Sequence, residues 1–447
     1  MRAVGVAFTG SGGKTTALFQ LARSLSGTED RPVIVTATTH LHVDQIKLAD
    51  SHWIGEKSED LVDLEKNLHG VILVTGPIDG NRTTGLNESL QYWLREVCSH
   101  HDLPLLVEAD GSRQRPLKAP AEDEPVIPDF VETVVLVAGL SGLGEPITDE
   151  SVHRQEIFSR LSGLGLGEVI TPDALVRVLT HPAGGLKNIP VQARRVVLLN
   201  QADTPELQSI GGKMAQDLLA TFDAVLVGAL EQSHVQTFEC TAGIILAAGE
   251  AKRFGQTKQL LDYHGQPFVR SVAQTALASG LSPVVVVSGA NAELVEAAVK
   301  DLPVTIVRNP DWHNGQSSSI RAGLHALPPP SLRDTSPKSK GFRGGREGAA
   351  IFLLADQPQV TPTVIHALME QHTLDLSPII APLVIGQRAN PVLFDRVTFP
   401  DLMALTGDVG GRAIFSKYPV MYLPWHDESL LVDIDTPEDL KKFENRE

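Results

Sequence analysis

Short aliphatic runs recur along the chain, most of them closed by glycines, hydroxyls, acids or amides and followed by residues at helical spacing. In the first half the runs are Val4–Phe8, Val33–Val35, Leu105–Val107, Val134–Ala138, Val196–Leu199 and Ala224–Gly228. They are continuously apolar rather than alternating, the pattern of strands covered on both faces. Leu18, Leu21 and Leu25 then mark an amphipathic helix behind the first run. The second half repeats the rhythm with strands at Ile244–Leu246, Val284–Ser288, Val304–Val307 and Ile351–Leu354, and helices at Phe268–Leu277, Ala290–Val299 and Ile320–Leu327. Alternating strands and helices predict α/β architecture with doubly wound, mainly parallel sheets.

A chain of 447 residues is too long for one core. The polar stretch Gln232–Cys240 places a junction near 236–242, giving expected domains 1–238 and 239–447. Three prolines followed by Ser, Lys, Arg and Gly make residues 328–348 an expected disordered insertion. The two halves open alike but carry different loop chemistry, so no internal repeat is read. The net charge of −16 argues against non-specific nucleic-acid binding, which needs a basic face. Cys98 and Cys240 form no CxxC pair and read as packing thiols. No apolar run reaches the roughly 18 residues of a membrane helix. With no signal pattern at the N-terminus, a cytoplasmic protein without membrane partners is expected.

The first strand runs into Thr9-Gly10-Ser11-Gly12-Gly13-Lys14-Thr15-Thr16. Strand, glycine loop, Lys-Thr and helix are the context of a P-loop. Backbone amides from Gly10, Gly12 and Gly13 onward would cradle phosphates, Lys14 would reach the outer ones, and Thr15 would offer a hydroxyl to Mg²⁺, with Thr16 beside it. Phe8 replaces the first glycine of the full Walker form. Leu105–Val107 ends in Glu108-Ala109-Asp110, where a Walker-B acid would sit; Asp110 is the expected metal ligand. Asn200-Gln201-Ala202-Asp203 has the outline of a base-reading loop, although Asp203 serves equally well as a turn or cap residue. With Thr36–His40, Glu108–Arg113, Pro116–Pro120 and Glu124–Pro128, this half resembles the YqeC family over about residues 2–230. That resemblance implies a role accessory to selenium-dependent molybdenum hydroxylases, with a molybdenum hydroxylase as client and ATP or another nucleoside triphosphate at the loop.

In the second half, Leu246-Ala247-Ala248-Gly249 leads to Arg253, Gly255 and Lys258. Small residues past a strand let backbone amides approach an anion, and the two cations can neutralise it. Asp311–Ser319 offers Ser317 and Ser318 as nucleotide contacts, or one of them as an N-cap. Ile351–Leu354 leads to Asp356, an expected Mg²⁺ ligand; Asp435 is a second metal contact or the cap of a helix opened by Thr436-Pro437.

Together with Gln387–Val392 and Gly407–Arg412, these motifs resemble the cytidylyltransferase (MocA-type) branch of the MobA-like nucleotidyltransferases over about residues 242–443, the insertion excepted. The resemblance implies transfer of CMP from CTP to the molybdenum cofactor with release of pyrophosphate. In that family Leu-Ala-Ala-Gly goes with CTP and Leu-Ala-Gly-Gly with GTP. Arg253, Lys258 and Asp356 would be catalytic, and Arg388, Asn390, Asp408 and Arg412 would face the acceptor. Ala251 and Ala389 depart from the usual Ser and Gly, and neither removes a charge. Transfer to a sugar or alditol phosphate, or non-catalytic carriage of the cofactor, are the alternatives.

Overall fold

The computed structural model describes residues 5–29, 31–111, 113–232, 234–249, 257–327 and 347–432. The expected sites Arg253, Gly255 and Asp435 lie outside these residues. The chain divides into two compact units, Met1–Phe238 and Glu239–Glu447.

The first unit is built on a nine-stranded sheet. In spatial order its strands are His234–Glu239, Ala224–Ala229, Arg194–Asn200, Thr133–Gly139, Gly5–Gly10, Leu105–Glu108, Val33–Ala37, Val71–Thr75 and Ser51–Ile54. From Ala224–Ala229 to Ser51–Ile54 every pairing is parallel. The strands Val71–Thr75 and Ser51–Ile54 extend the sheet beyond the sequence expectation. Helices cover both faces, and buried clusters around Phe19 on one side and Leu94 and Phe158 on the other fill the layers. Gly5–Gly10 is central. The chain leaves it through helix Lys14–Glu29 and returns at Val33–Ala37, one strand beyond Leu105–Glu108. Ligands in such sheets bind at the carboxyl ends of strands flanking a crossover of this kind.

The second unit holds an eight-stranded sheet in the order Thr305–Arg308, Val284–Ser288, Thr241–Ala247, Ala349–Leu354, Val392–Asp395, Ile379–Val384 and Gln387–Arg388, with Val420–Trp425 added parallel to Ile379–Val384. Val392–Asp395 runs antiparallel to both neighbours, so the sheet is mixed rather than purely parallel. The serine run does not precede its helix. The helix begins at Gln316, taking Ser317, Ser318 and Ser319 into its first turn. Glu347 and Gly348, expected to end a disordered insertion, are in place: Glu347 is buried and the Gly348 amide donates to the Cys240 carbonyl at 2.9 Å. Residues 328–346 lie outside the described residues.

Candidate active sites

The glycine loop of the first unit follows the strand Gly5–Gly10 without a break. Gly10 and Gly12 have φ of +95° and +80°. A Cβ on Gly10 would lie 2.1 Å from the Val137 carbonyl oxygen, and one on Gly12 would lie 2.3 Å from the Gly139 nitrogen. Only glycine permits both the left-handed backbone and the close approach. Asn200 donates from Nδ2 to the Gly12 carbonyl at 2.8 Å, while its Oδ1 accepts from the Leu230 amide. Asn200 thus braces the loop.

Beneath the loop lies a buried charge network. Lys14, 3% exposed, donates from Nζ to the Gly10 carbonyl at 3.0 Å and stands 3.1 Å from Asp110 Oδ1 and 3.8 Å from Glu108 Oε1. Asp110 Oδ2 accepts from Thr9 Oγ1 at 2.8 Å, the Gly10 amide at 3.1 Å and Lys118 Nζ at 2.7 Å. Lys118 continues to Glu124 Oε2 at 2.9 Å, and Arg154 grips Glu124 with both guanidinium nitrogens at 2.7 Å. Burial works against the charge on Lys14, yet the Asp110 and Glu108 carboxylates outweigh it and hold its pKa above the ordinary lysine value. Burial also raises the Glu108 carboxyl, which Lys14 only partly offsets. Asp110 feels the same burial, but Lys14 and Lys118 carry its pKa below the usual range.

Two acids, Asp110 and Glu108, stand at the strand end where a metal ligand is expected. Asp110 sits between two ammonium groups: its Oδ2 takes three donors, while Oδ1 lies 3.1 Å from Lys14 Nζ and takes no hydrogen bond among the described residues. The acid that faces the hydroxyl is Glu108, whose Oε2 accepts from Thr15 Oγ1 at 2.8 Å; Thr15 in turn accepts from Gln45 Nε2 at 3.0 Å. Oxygen donors from Thr15 and Glu108 suit a hard divalent ion. Gly13 is half-buried and Thr16 is exposed at the start of the helix.

In the second unit, Leu246-Ala247-Ala248-Gly249 closes the central strand. The Leu246 carbonyl accepts from the Ala355 amide at 3.2 Å, tying this loop to the end of Ala349–Leu354. Lys258 opens a short 3₁₀ turn, and its Nζ lies 2.8 Å from Asp356 Oδ2. Asp356 keeps 31% of its side chain exposed. Gln259, buried beside it, donates from Nε2 to the Gly249 carbonyl at 3.0 Å. One partly open carboxylate fits Mg²⁺, which commonly takes one or two protein carboxylates and completes its shell with phosphates and water. Among the described residues no group of three His, Cys, Asp or Glu forms a metal cage.

A model of the YqeC protein family matches residues 6–156, and a model of the MobA-like NTP transferase domain matches residues 243–421. Over 205 residues the chain is 33% identical to an uncharacterized YqeC protein of Escherichia coli K12, covering 44% of this chain and 75% of that protein. The chain belongs to both families, YqeC in its first half and MobA-like NTP transferase in its second. It is also 32% identical over 214 residues to nicotine blue oxidoreductase of Paenarthrobacter nicotinovorans, covering 46% of this chain and 96% of that one. Identity to the purine catabolism protein PucB of Bacillus subtilis is 30% over 207 residues, or 44% of this chain and 92% of that protein.

In the transferase unit two expected nucleotide contacts are spent inside the fold. Ser317, fully buried, donates to the Gly407 carbonyl at 2.6 Å, and Ser318 donates to the Gly315 carbonyl at 2.8 Å while accepting from Asn309 Nδ2. Asp408 accepts from the Gln316 amide at 3.2 Å and so caps the same helix. These residues fasten segment 407–408 to the helix start. Arg388 lies 4.7 Å above the Phe415 ring. Burial first, and then the neighbouring Arg412, lower its pKa. Asn390 is half-buried close by in the chain, and Arg412 is exposed. Among the described residues no helix is long and apolar enough to cross a membrane.

Sequence reading missed Lys118, Arg154, Gln45 and Gln259. Lys118 had a signal: a lone cation between Leu117 and Ala119, in a segment bracketed by Pro116 and Pro120. A charge in so apolar a setting needs a buried partner.

Proposed function

We propose that the transferase unit is a molybdenum cofactor cytidylyltransferase and that the YqeC unit binds ATP or a related triphosphate as an accessory to the maturation of a molybdenum hydroxylase. The observation that carries the first reading is the Lys258–Asp356 pair, 2.8 Å apart, between the turn at Lys258 and the end of the strand Ala349–Leu354. It supplies a cation for phosphate and a carboxylate for metal at one place.

In this reading a terminal phosphate oxygen of the cofactor attacks the α-phosphorus of CTP. The bond to the β-phosphate oxygen breaks, and pyrophosphate leaves. No covalent nucleophile is needed, so catalysis is positioning and charge neutralisation. Loop amides and Arg253 would hold the outer phosphates, Lys258 would offset charge growing at the α-phosphate, and Asp356, with Asp435, would hold Mg²⁺. Bound there, the ion would supply further neutralisation of the phosphate oxygens. Arg388 and Arg412 suit the anionic acceptor, with Asn390 beside them; Asp408 serves the helix instead.

The likeness to nicotine blue oxidoreductase favours a second reading, in which the same loop holds a redox nucleotide. Pyrophosphate release separates the two. The purified chain, given molybdenum cofactor and each nucleoside triphosphate, should release pyrophosphate with CTP at a kcat/KM at least roughly tenfold above GTP, about 1.4 kcal/mol of discrimination. Equal use of CTP and GTP contradicts the base assignment. Oxidation of a nicotinamide nucleotide by an aromatic acceptor, with no pyrophosphate formed, supports the redox reading.

A further inference from the structure

The Pro116–Pro120 and Glu124–Pro128 segments stood out in sequence, yet phosphate binding by the glycine loop does not by itself require them. Their charged members complete the network under that loop. Three cations, Lys14, Lys118 and Arg154, face three carboxylates, Glu108, Asp110 and Glu124. Lys14 and Asp110 are each no more than 3% exposed, and Lys118 is 9% exposed. As described, Lys14 is turned inward, bonded to the Gly10 carbonyl and facing Asp110 Oδ1.

Lys14 is only 3% exposed, so serving an anion in the loop requires it to turn outward, which weakens its pairing with Asp110. A carboxylate so deeply buried and stripped of its counter-ion is strongly unfavourable. The network holds a remedy. Asp110 is paired through its two oxygens with two different lysines: Oδ1 faces Lys14, and Oδ2 accepts from Lys118 at 2.7 Å. Glu124 shares Lys118 but is itself gripped by Arg154 through both oxygens. Lys118 can therefore keep Asp110 compensated when Lys14 swings to a ligand.

We propose that Lys118 is a stand-by counter-ion that frees Lys14 to bind the phosphates of a nucleoside triphosphate at the glycine loop. This rests on reading that loop as a phosphate site. Lys118 is a positioning residue: it acts through Asp110 and touches no ligand. Glu124 sets how firmly Lys118 is drawn away from Asp110.

The test is hydrogen–deuterium exchange of peptides spanning residues 9–25 in the full-length protein, titrated with Mg·ATP. Wild type should show saturable protection. Among the described residues, Lys118→Met leaves Lys14 as the only ammonium group within hydrogen-bond distance of Asp110, and it should weaken the apparent affinity at least tenfold. The charge-balanced Lys118→Met/Asp110→Asn double variant should recover to within about threefold of wild type, because the neutral amide no longer detains Lys14. Glu124→Gln is the milder variant should Lys118→Met fail to fold. It releases Lys118 toward Asp110 and should tighten binding about threefold. Unchanged affinity in Lys118→Met, no recovery in the double variant, or weaker binding in Glu124→Gln overturns the proposal while leaving the phosphate site intact. No protection of wild type by ATP or GTP overturns the phosphate-site reading itself, and the proposal with it.

Discussion

At the scale of single residues, the decisive groups are those whose partners were chosen by folding. Glu108 and Asp110 lie two apart at one strand end, and sequence alone does not say which acid meets Thr15 and which meets the lysines. Gly10 and Lys118 settle it by donating to Asp110, leaving Glu108 to the hydroxyl. Asp356 stands where an acid ending an apolar strand is expected, 2.8 Å from Lys258. Ser317 and Ser318 donate to carbonyls inside the fold, and hydroxyls used this way look the same in sequence as hydroxyls offered to a ligand. Asp356→Asn should lower CMP transfer by two orders of magnitude or more at saturating Mg²⁺, with the melting temperature unchanged because the side chain is partly open; near-wild-type turnover would remove Asp356 from the site. His153 gives a pH prediction. Burial first, then Arg154 and Lys118, lowers its pKa from 6.5 to about 4. The unfolded chain therefore binds the extra proton first, and stability is lost as pH falls from about 6.5 through about 4. His153→Gln should flatten denaturation midpoints across that window, whereas an unchanged pH slope would show that other groups cause it.

At the scale of elements, the strand–loop–helix unit was readable because apolar runs and glycines report backbone needs directly. Central strands buried on both faces carry that signal strongly. Ser51–Ile54 carries it weakly, as an edge strand holding Ser, His and Trp, and it was found only in three dimensions. The antiparallel course of Val392–Asp395 was likewise hidden, since strand direction depends on the connection and not on the strand's own composition. Backbone need also gives a contrast between glycines. Gly12→Ala would drive a Cβ into the Gly139 backbone at positive φ, whereas Gly80, at φ +57°, has nothing within 4 Å. Gly12→Ala should cost about 2 kcal/mol or more and Gly80→Ala about 1 kcal/mol or less. Urea midpoints of the two variants, compared for the same transition, check this; equal shifts would mean the loop relaxes around the added methyl.

At the scale of the whole molecule, each unit holds its own loop, its own lysine and its own acid. Lys14→Ala should abolish nucleotide protection at residues 9–25 and leave CMP transfer within about twofold of wild type. Lys258→Ala should do the reverse, lowering transfer by two orders of magnitude or more. A fragment beginning at Glu239, which keeps the ion pair between Glu239 and Arg396 at 2.8 Å, should fold and transfer CMP alone. A large loss of transfer in Lys14→Ala would mean the two sites act as one. The central claim, that the second unit moves CMP onto the molybdenum cofactor, is tested most directly by following the α-phosphate. CTP labelled at that position is incubated with Mg²⁺, molybdenum cofactor and the purified chain, and the pterin fraction is separated and counted. The account predicts label in the pterin fraction, equal in amount to the pyrophosphate released, and at least about a hundredfold less with Asp356→Asn; label that stays in CTP or appears only as free CMP would contradict it.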